Sequence, residues 1–275
     1  RDANRILKLS SKETMQLAQD LFEKGFITYH RTDSTYVSET GRKIASSYLG
    51  KDFKERTWAK KGAHECIRPT RAIDRVTLEK MIYEGIIPVE PLTKKHLALY
   101  DLIFRRFMAS QCKEYELELK IYELKYLGKK KTIERIENAR GRCVELYKSV
   151  AIEKPLPTGR FNVELKYFYI PEAYPLTQAE VVRQMKEHSI GRPSTYSTII
   201  EKLFLRKYIS ERKNLLFPTK LGKIVCDFLI KNFNPFVSEE RTKYLLNKMD
   251  EIERGKENYR EVLEEIYREI IQVGG

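Results

Sequence analysis

ITYHRTDS, residues 27–34, places Tyr29, His30, Arg31, Thr32, Asp33 and Ser34 in six consecutive positions after an apolar pair. Upstream, Ser10 and Glu13 have the spacing of a capping box. Met15, Leu17, Ala18, Leu21 and Phe22 then recur at helical intervals, and Gly25 suits the C-terminal cap. Downstream, Ser38 suits an N-cap, with Ile44, Ala45, Tyr48 and Leu49 on one face before Gly50. The stretch therefore joins two helices, and connections on rigid supports are where reactive groups are commonly placed. Tyr29 is a candidate nucleophile, but a phenol of ordinary pKa (~10) is protonated near neutral pH and needs help. In extended backbone, positions i and i+2 face one side. Arg31 is thus placed to stabilise a phenolate or clamp a phosphate under attack, and Asp33 to orient Arg31. The plainer alternative is a packed tyrosine beside a surface ion pair.

A second polar cluster makes the reactive reading stronger. GAHECIRPT, residues 62–70, offers His64 as proton carrier, Glu65 as carboxylate, Arg68 as a phosphate fork and Thr70 as a hydroxyl. Alone, His64 would more often be structural. GRPSTY, residues 191–196, has the composition of a third, anion-binding element. Arg192 offers a bidentate fork, and Ser194 and Thr195 stand at a helix N-terminus, with Ser194 as the expected N-cap. By itself this would be a plain helix cap.

The remaining pattern gives a mixed α and β, multidomain fold. Residues 76–111 read as helical with a break at 87–91. YELELKIYELKYL, residues 115–127, alternates like a strand, Gly128 with the lysines after it reads as a turn, and residues 132–152 and FNVELKYFYI (161–170) read as further strands of an antiparallel sheet. Thr177 with Glu180 starts another helix, residues 196–204 carry an apolar stripe, and a short hairpin turning near residues 211–214 follows. Helix, helix, hairpin is the outline of a winged helix. Thr219 caps the next helix, Gly255 closes a long one, and a last helix runs to about Val273. The expected division is a helical domain carrying Tyr29 (1–111), a β-rich arch segment (112–172) and a helical, winged-helix-like DNA-binding domain (173–275).

The bulk properties agree. The 275 residues exceed one usual core and suggest two or three domains. Fifty-two Lys plus Arg against 39 Asp plus Glu leave a net charge of +13, which points to a polyanionic partner. With 17 Tyr and 12 Phe among the bases, that partner is nucleic acid held on stacking platforms. Charged residues at 33% fit a protein of a hot environment. Cys66, Cys112, Cys143 and Cys226 lack zinc-ribbon spacing and read as reduced thiols of an intracellular, cytoplasmic protein. No run is apolar enough to span a membrane and no signal pattern opens the chain. The start at Arg1 rather than Met suggests a piece of a longer protein.

ITYHRTDS resembles the active-site segment of the type IA DNA topoisomerases, and GAHECIRPT resembles another of their signatures, with Cys66 where alanine is usual. IGRPSTYSTIIEKLFLRKYI, FPTKLG and NKMDEIERGK are similar to later family segments in the same order, and the histidine of TYHRTDS is similar to reverse gyrases, whose C-terminal topoisomerase portion the chain resembles most. The resemblance implies that Tyr29 forms a 5′-phosphotyrosyl link to one DNA strand, with Arg31 positioning the scissile phosphate. Thr32, Asp33, His64 and Arg68 would serve DNA binding, and Arg192, Ser194 and Thr195 would hold the single strand leading in.

The family's acidic DxDxxE metal-binding pattern is missing from the sequence, as is a GKT or GKS phosphate loop. No metal ligand is assigned in this chain. The resemblance implies magnesium bound by an acidic domain on a second polypeptide or a missing N-terminal region, and ATP only where a helicase-like partner is present. The rival readings are another type IA topoisomerase without reverse gyrase activity, and an inactive single-stranded DNA-binding module. A tyrosine recombinase would place its tyrosine late in the chain.

Overall fold

A computed structural model describes residues 1–90, 92–162, 166, 168–170, 172 and 174–274. The chain divides into two compact units. One comprises Arg1, Ala3–Lys12 and Tyr174–Gly275; the other comprises Asp2 and Glu13–Ala173. The short helix α1 (Asp2–Leu7) thus belongs largely with the C-terminal third of the chain, whereas the sequence reading separates three consecutive segments.

The second unit is organised by α5 (Lys94–Ser110), whose Leu97, Leu99, Tyr100, Phe104, Phe107 and Met108 are all buried. Against it lie α2 (Ser11–Glu23, in this unit from Glu13 on), α3 (Glu39–Leu49) and α4 (Arg75–Tyr83), which bury Leu17, Leu21, Ala45, Leu49 and Leu78. The Tyr48 ring meets Phe104 edge-on at 4.8 Å, and Phe26 meets Tyr100 at 6.3 Å. Each such side chain contributes roughly 1.5–3 kcal/mol by leaving water. Tyr100 is accommodated because its hydroxyl donates to the Ile73 carbonyl at 2.6 Å. The helix ends follow their cap residues. Ser38 accepts from Gly41 N–H, and Gly25, at φ 72°, lets Phe26 N–H and Gly25 N–H close back onto Leu21 and Phe22 carbonyls.

β1 (Glu116–Tyr126) and β2 (Lys129–Arg140) form an antiparallel hairpin with a register shift at Glu118/Leu119. Its loop is Leu127–Gly128, both at positive φ as a two-residue turn of this hand requires. Lys129, Lys130 and Lys131 are therefore strand residues, not turn residues. The expected strand over 132–152 ends at Arg140. The next residues form α6 (Arg142–Leu146), because Cys143, Val144 and Leu146 bury together on one short helical face instead of alternating. The strand expected over 161–170 falls partly outside the described residues. Those described there carry no strand, and Phe168, Tyr169 and Ile170 are exposed.

In the other unit, α7 (Gln178–Glu187), α8 (Tyr196–Leu205) and the hairpin of β3 (Ile209–Arg212) and β4 (Leu215–Pro218) follow in the expected order. Lys213 and Asn214, both at positive φ, make its turn. Thr177 and Thr219 cap α7 and α9 (Lys220–Val237) through their side chains, and α9 kinks at Phe233 ahead of Pro235. α10 (Glu239–Glu253) and α11 (Tyr259–Gly274) are linked by Arg241 to Glu269 and by Tyr244 to Glu265. Among the described residues both units are mostly helical, with one small antiparallel hairpin each. No helix among the described residues is long and apolar enough to cross a membrane.

Candidate active site

The two polar clusters of the second unit are stitched into one site by a short antiparallel ladder. Thr28 N–H donates to Arg68 O at 2.9 Å, Thr70 N–H donates to Phe26 O at 3.1 Å, and Ile27 pairs with Pro69 between them. The Thr28 hydroxyl adds a bond to Cys66 O and accepts from Arg68 N–H. Further along, Cys66 N–H donates to Tyr36 O, and Val37 N–H to Thr57 O. Sequence neighbours 35 positions apart thereby come together: the rings of Tyr29 and His64 lie 5.6 Å apart, tilted by 38°.

From Tyr29 to Tyr36 exposure alternates, as extended backbone dictates. Tyr29, Arg31 and Asp33 turn outward, Thr32 is half-buried and His30 points in. Tyr29 is 38% exposed, its ring edge against Phe22 of α2 at 5.4 Å. Arg31 is exposed and touches Gln19 Oε1 of α2 at 3.2 Å. Thr32 Oγ1 accepts from Ser34 N–H, pinning the turn after Arg31. The site thus offers a reachable phenol, an exposed guanidinium and an exposed imidazole on a tied main chain.

Arg68 has a different situation. It is 5% exposed. Its Nε and Nη2 grip Glu65 at 2.9 and 2.7 Å, Nη1 donates to Pro69 O, and Nη2 reaches Ser38 Oγ. Its stem fills the space a side chain at position 41 would need, since a Cβ on Gly41 would come within 2.9 Å of it. Arg68 and the Ser38 hydroxyl hold the Glu65 carboxyl below its usual range against the opposing effect of burial. The pair braces the loop from inside.

Three contributors were not evident from sequence: Gln19, Phe22 and His30. Gln19 and Phe22 sit one helical turn apart on the face of α2 that also supplies core residues. His30 is 4% exposed, neither ring nitrogen has a hydrogen-bond partner, and burial, with Arg31 beside it, pushes its pKa down. Burial pushes the Cys66 thiol up to about 11, so it stays protonated and unreactive.

In the other unit, Thr195 rather than Ser194 stands at the N-cap of α8, without a side-chain cap bond. The reason is local: Thr195 Oγ1 accepts from Arg192 N–H, while Thr195 and Tyr196 N–H donate to Arg192 O, closing a turn that delays the helix. Gly191 enters that turn at φ 79°. Arg192 Nη2 is paired with Asp250 of α10 at 2.7 Å, and Ser194 is exposed.

Comparison with known proteins identifies the family. A family model described as DNA topoisomerase matches residues 1–264. The chain belongs to the type IA DNA topoisomerase family. It is 44% identical to reverse gyrase 1 of Aquifex aeolicus over 98% of this chain and 24% of that protein, and 43% identical to reverse gyrase of Pyrococcus furiosus over 98% and 23%. Full-length topoisomerase I of Thermotoga maritima superposes with a TM-score of 0.77 at 30% identity, covering 99% of this chain and 48% of that one. The chain spans about a quarter of the length of these curated relatives. DNA is the substrate the family implies, and its members generally use Mg2+. Among the described residues no three His, Cys, Asp or Glu side chains gather as a metal site, so these residues do not fit the ion.

Proposed function

We propose that this chain is the tyrosine-bearing part of a reverse-gyrase-like topoisomerase that cleaves one DNA strand, passes a strand and reseals. The observation that supports it best is the pairing of Tyr29 and His64 at 5.6 Å on a tied loop, beside an exposed Arg31. In this reading Tyr29 Oη attacks phosphorus and loses its proton as the new P–O bond forms. The bond to the neighbouring 3′ oxygen breaks, and that oxygen takes up a proton. The 5′-phosphotyrosyl link conserves the phosphodiester bond energy, so the reverse attack reseals the strand. Arg31 stabilises charge on the phosphate during transfer. Thr32 and Arg68 keep the loop in shape, and Asp33 and His64 line the approach of the DNA.

The helix–helix–hairpin unit serves as a winged-helix-like DNA-binding domain, with Arg192, Ser194 and Thr195 on the single strand. The β1–β2 hairpin belongs to an arch segment between residues 112 and 172, and residues 1–111 act as the tyrosine domain. Magnesium and the acid that protonates the 3′ oxygen come from an acidic domain outside this chain, and ATP enters only with a helicase-like partner. Localisation is cytoplasmic, with the DNA.

The test is a covalent trap: end-labelled single-stranded DNA and magnesium, with and without the acidic domain, followed by denaturation. A labelled adduct that needs the acidic domain and vanishes in Tyr29→Phe is the expected result. An adduct that survives Tyr29→Phe overturns the assignment. Robust cleavage by the chain alone overturns the shared site.

A further inference from the structure

Trp58 is the sole tryptophan of the chain, and its setting is unusual. A large apolar side chain normally gains by burial, yet Trp58 is 57% exposed. Its φ is +60°, a region bulky residues rarely enter, and the bond from Ala59 N–H to Thr57 O at 2.8 Å closes a three-residue turn around it, the rarer of the two hands. Strained backbone of this kind persists where its surroundings hold it, and it gathers at functional positions. Here the surroundings do hold it. Thr57 O accepts from Val37 N–H, the indole Nε1–H donates to Ser110 O at 3.2 Å, and the Arg56 guanidinium lies 5.5 Å from the ring centre. Arg56 is itself fixed by Ser110 O and Cys112 O.

The rigidly held ring borders an open hollow of about 650 Å³ that it shares with Tyr36, Thr57, Ala59, Lys60 and Lys61. Lys60 and Lys61 are exposed and make no ion pair with the described residues. The acids of this stretch are engaged: Glu55 with Arg42, and Glu114 with Lys54 and Arg56. An aromatic face that cannot turn away, next to two uncommitted cations, is what an unpaired base and its flanking phosphates recognise.

We propose that Trp58, with Lys60 and Lys61, is a stacking platform for single-stranded DNA, distinct in its contacts from the Tyr29–His64 pair. The proposal rests on the reading that the chain handles single-stranded DNA. The platform joins the nucleophile's loop at both ends, through Tyr36 and Val37 on one side and through the exposed residues 59–64 leading to His64 on the other. A base stacked there would fix the strand independently of the covalent step.

Because Trp58 is the only tryptophan, its emission reports on the site directly. The chain is titrated with a short labelled oligothymidylate, reading fluorescence anisotropy of the label and Trp58 emission together. Saturable quenching that tracks binding is expected. Trp58→Ala should weaken binding by about tenfold, within the range for one stacked base, with far-UV circular dichroism unchanged, and Trp58→Phe should retain most of the affinity. Replacing both lysines by alanine should reduce the slope of log affinity against log salt by roughly 1.4, as for two phosphates of a single strand. Binding without any change in Trp58 emission overturns the platform, as does equal quenching by a duplex, whose bases have no free face. Absence of binding also overturns it, while the Tyr29 covalent trap separately decides the reaction.

Discussion

The loop that carries Tyr29 and the turn that carries Arg192 are held in opposite ways. The first is fixed through its main chain, by the ladder between residues 26–28 and 68–70, and its Tyr29, Arg31 and Asp33 side chains stay outside. The second closes its own main chain on Arg192 O and then ties the charged side chain to Asp250. A site that must make and break a bond needs its groups ready, because reorganising them during reaction adds to the barrier. A strand-binding contact tolerates a partner that exchanges. The arginines of the two polar clusters repeat the contrast: Arg31 faces solvent, whereas Arg68 is buried on Glu65.

The largest effects separate those two arginines. Arg31→Ala should leave unfolding free energy within about 0.5 kcal/mol, as for a surface site. It should slow adduct formation by about 10²–10³ fold in the completed enzyme. Arg68→Ala should do the reverse in origin: about 3 kcal/mol of stability is lost because Glu65 is left without its buried partner. Denaturant titration and single-turnover adduct formation, run on both variants, decide it. If Arg68→Ala unfolds at the same denaturant concentration as the unmodified chain, the brace is wrong and Arg68 is a contact residue after all.

A smaller effect probes the other region. The Arg192–Asp250 pair is about 40% exposed on each side, so its own contribution to stability lies within about 1 kcal/mol. Asp250→Asn should therefore scarcely change Tm, but it frees the fork for phosphate. Affinity for single-stranded DNA should rise by about two- to fivefold, with a steeper salt dependence. Unchanged affinity and salt slope would mean that the pair is purely structural and that Arg192 meets no phosphate.

Much of this was legible in the sequence wherever one residue type forces one geometry. Gly25 closes α2, Ser38 opens α3, and the alternation of Tyr29, Arg31 and Asp33 put them on one outward side, because each depends on local backbone rules. The ladder to residues 66–70 was not legible, since a two-strand pairing across nearly forty residues leaves no periodic trace. Nor was the inward turn of Arg68: its fork suits phosphate and carboxylate equally, and only the placement of Glu65 three residues earlier decides. The strand expected through residues 142–146 failed because three apolar residues within five positions are compatible with either period, and burial of Cys143, Val144 and Leu146 selected the helix. The Ser194 cap failed because Thr195 bonds back to Arg192.

The smallest expected effect lies behind Tyr29. His30 is turned inward between Tyr29 and Phe22, at 5.7 and 6.2 Å between ring centres, with no partner for either nitrogen. Burial and the neighbouring Arg31 hold its pKa below the ordinary 6.5, opposed only by Glu23. Below that ordinary value the unfolded chain therefore binds a proton that the folded chain refuses. By linkage the contribution of neutral His30 to stability is complete above about pH 6.5 and is lost as pH falls from there toward its lower folded value. His30→Leu removes the titration while keeping the volume apolar. The difference in Tm between about pH 7.5 and about pH 5.5 should narrow in this variant, by a few degrees at most for a chain of this size. Because the ring supports Tyr29 from behind, adduct formation by the unmodified protein should also fall with pH across the same window, and in His30→Leu that part of the fall should disappear. A Tm difference that stays the same would show that the imidazole reaches water and titrates like an ordinary histidine, and the loop would then be less tightly held behind Tyr29 than its main-chain ladder implies.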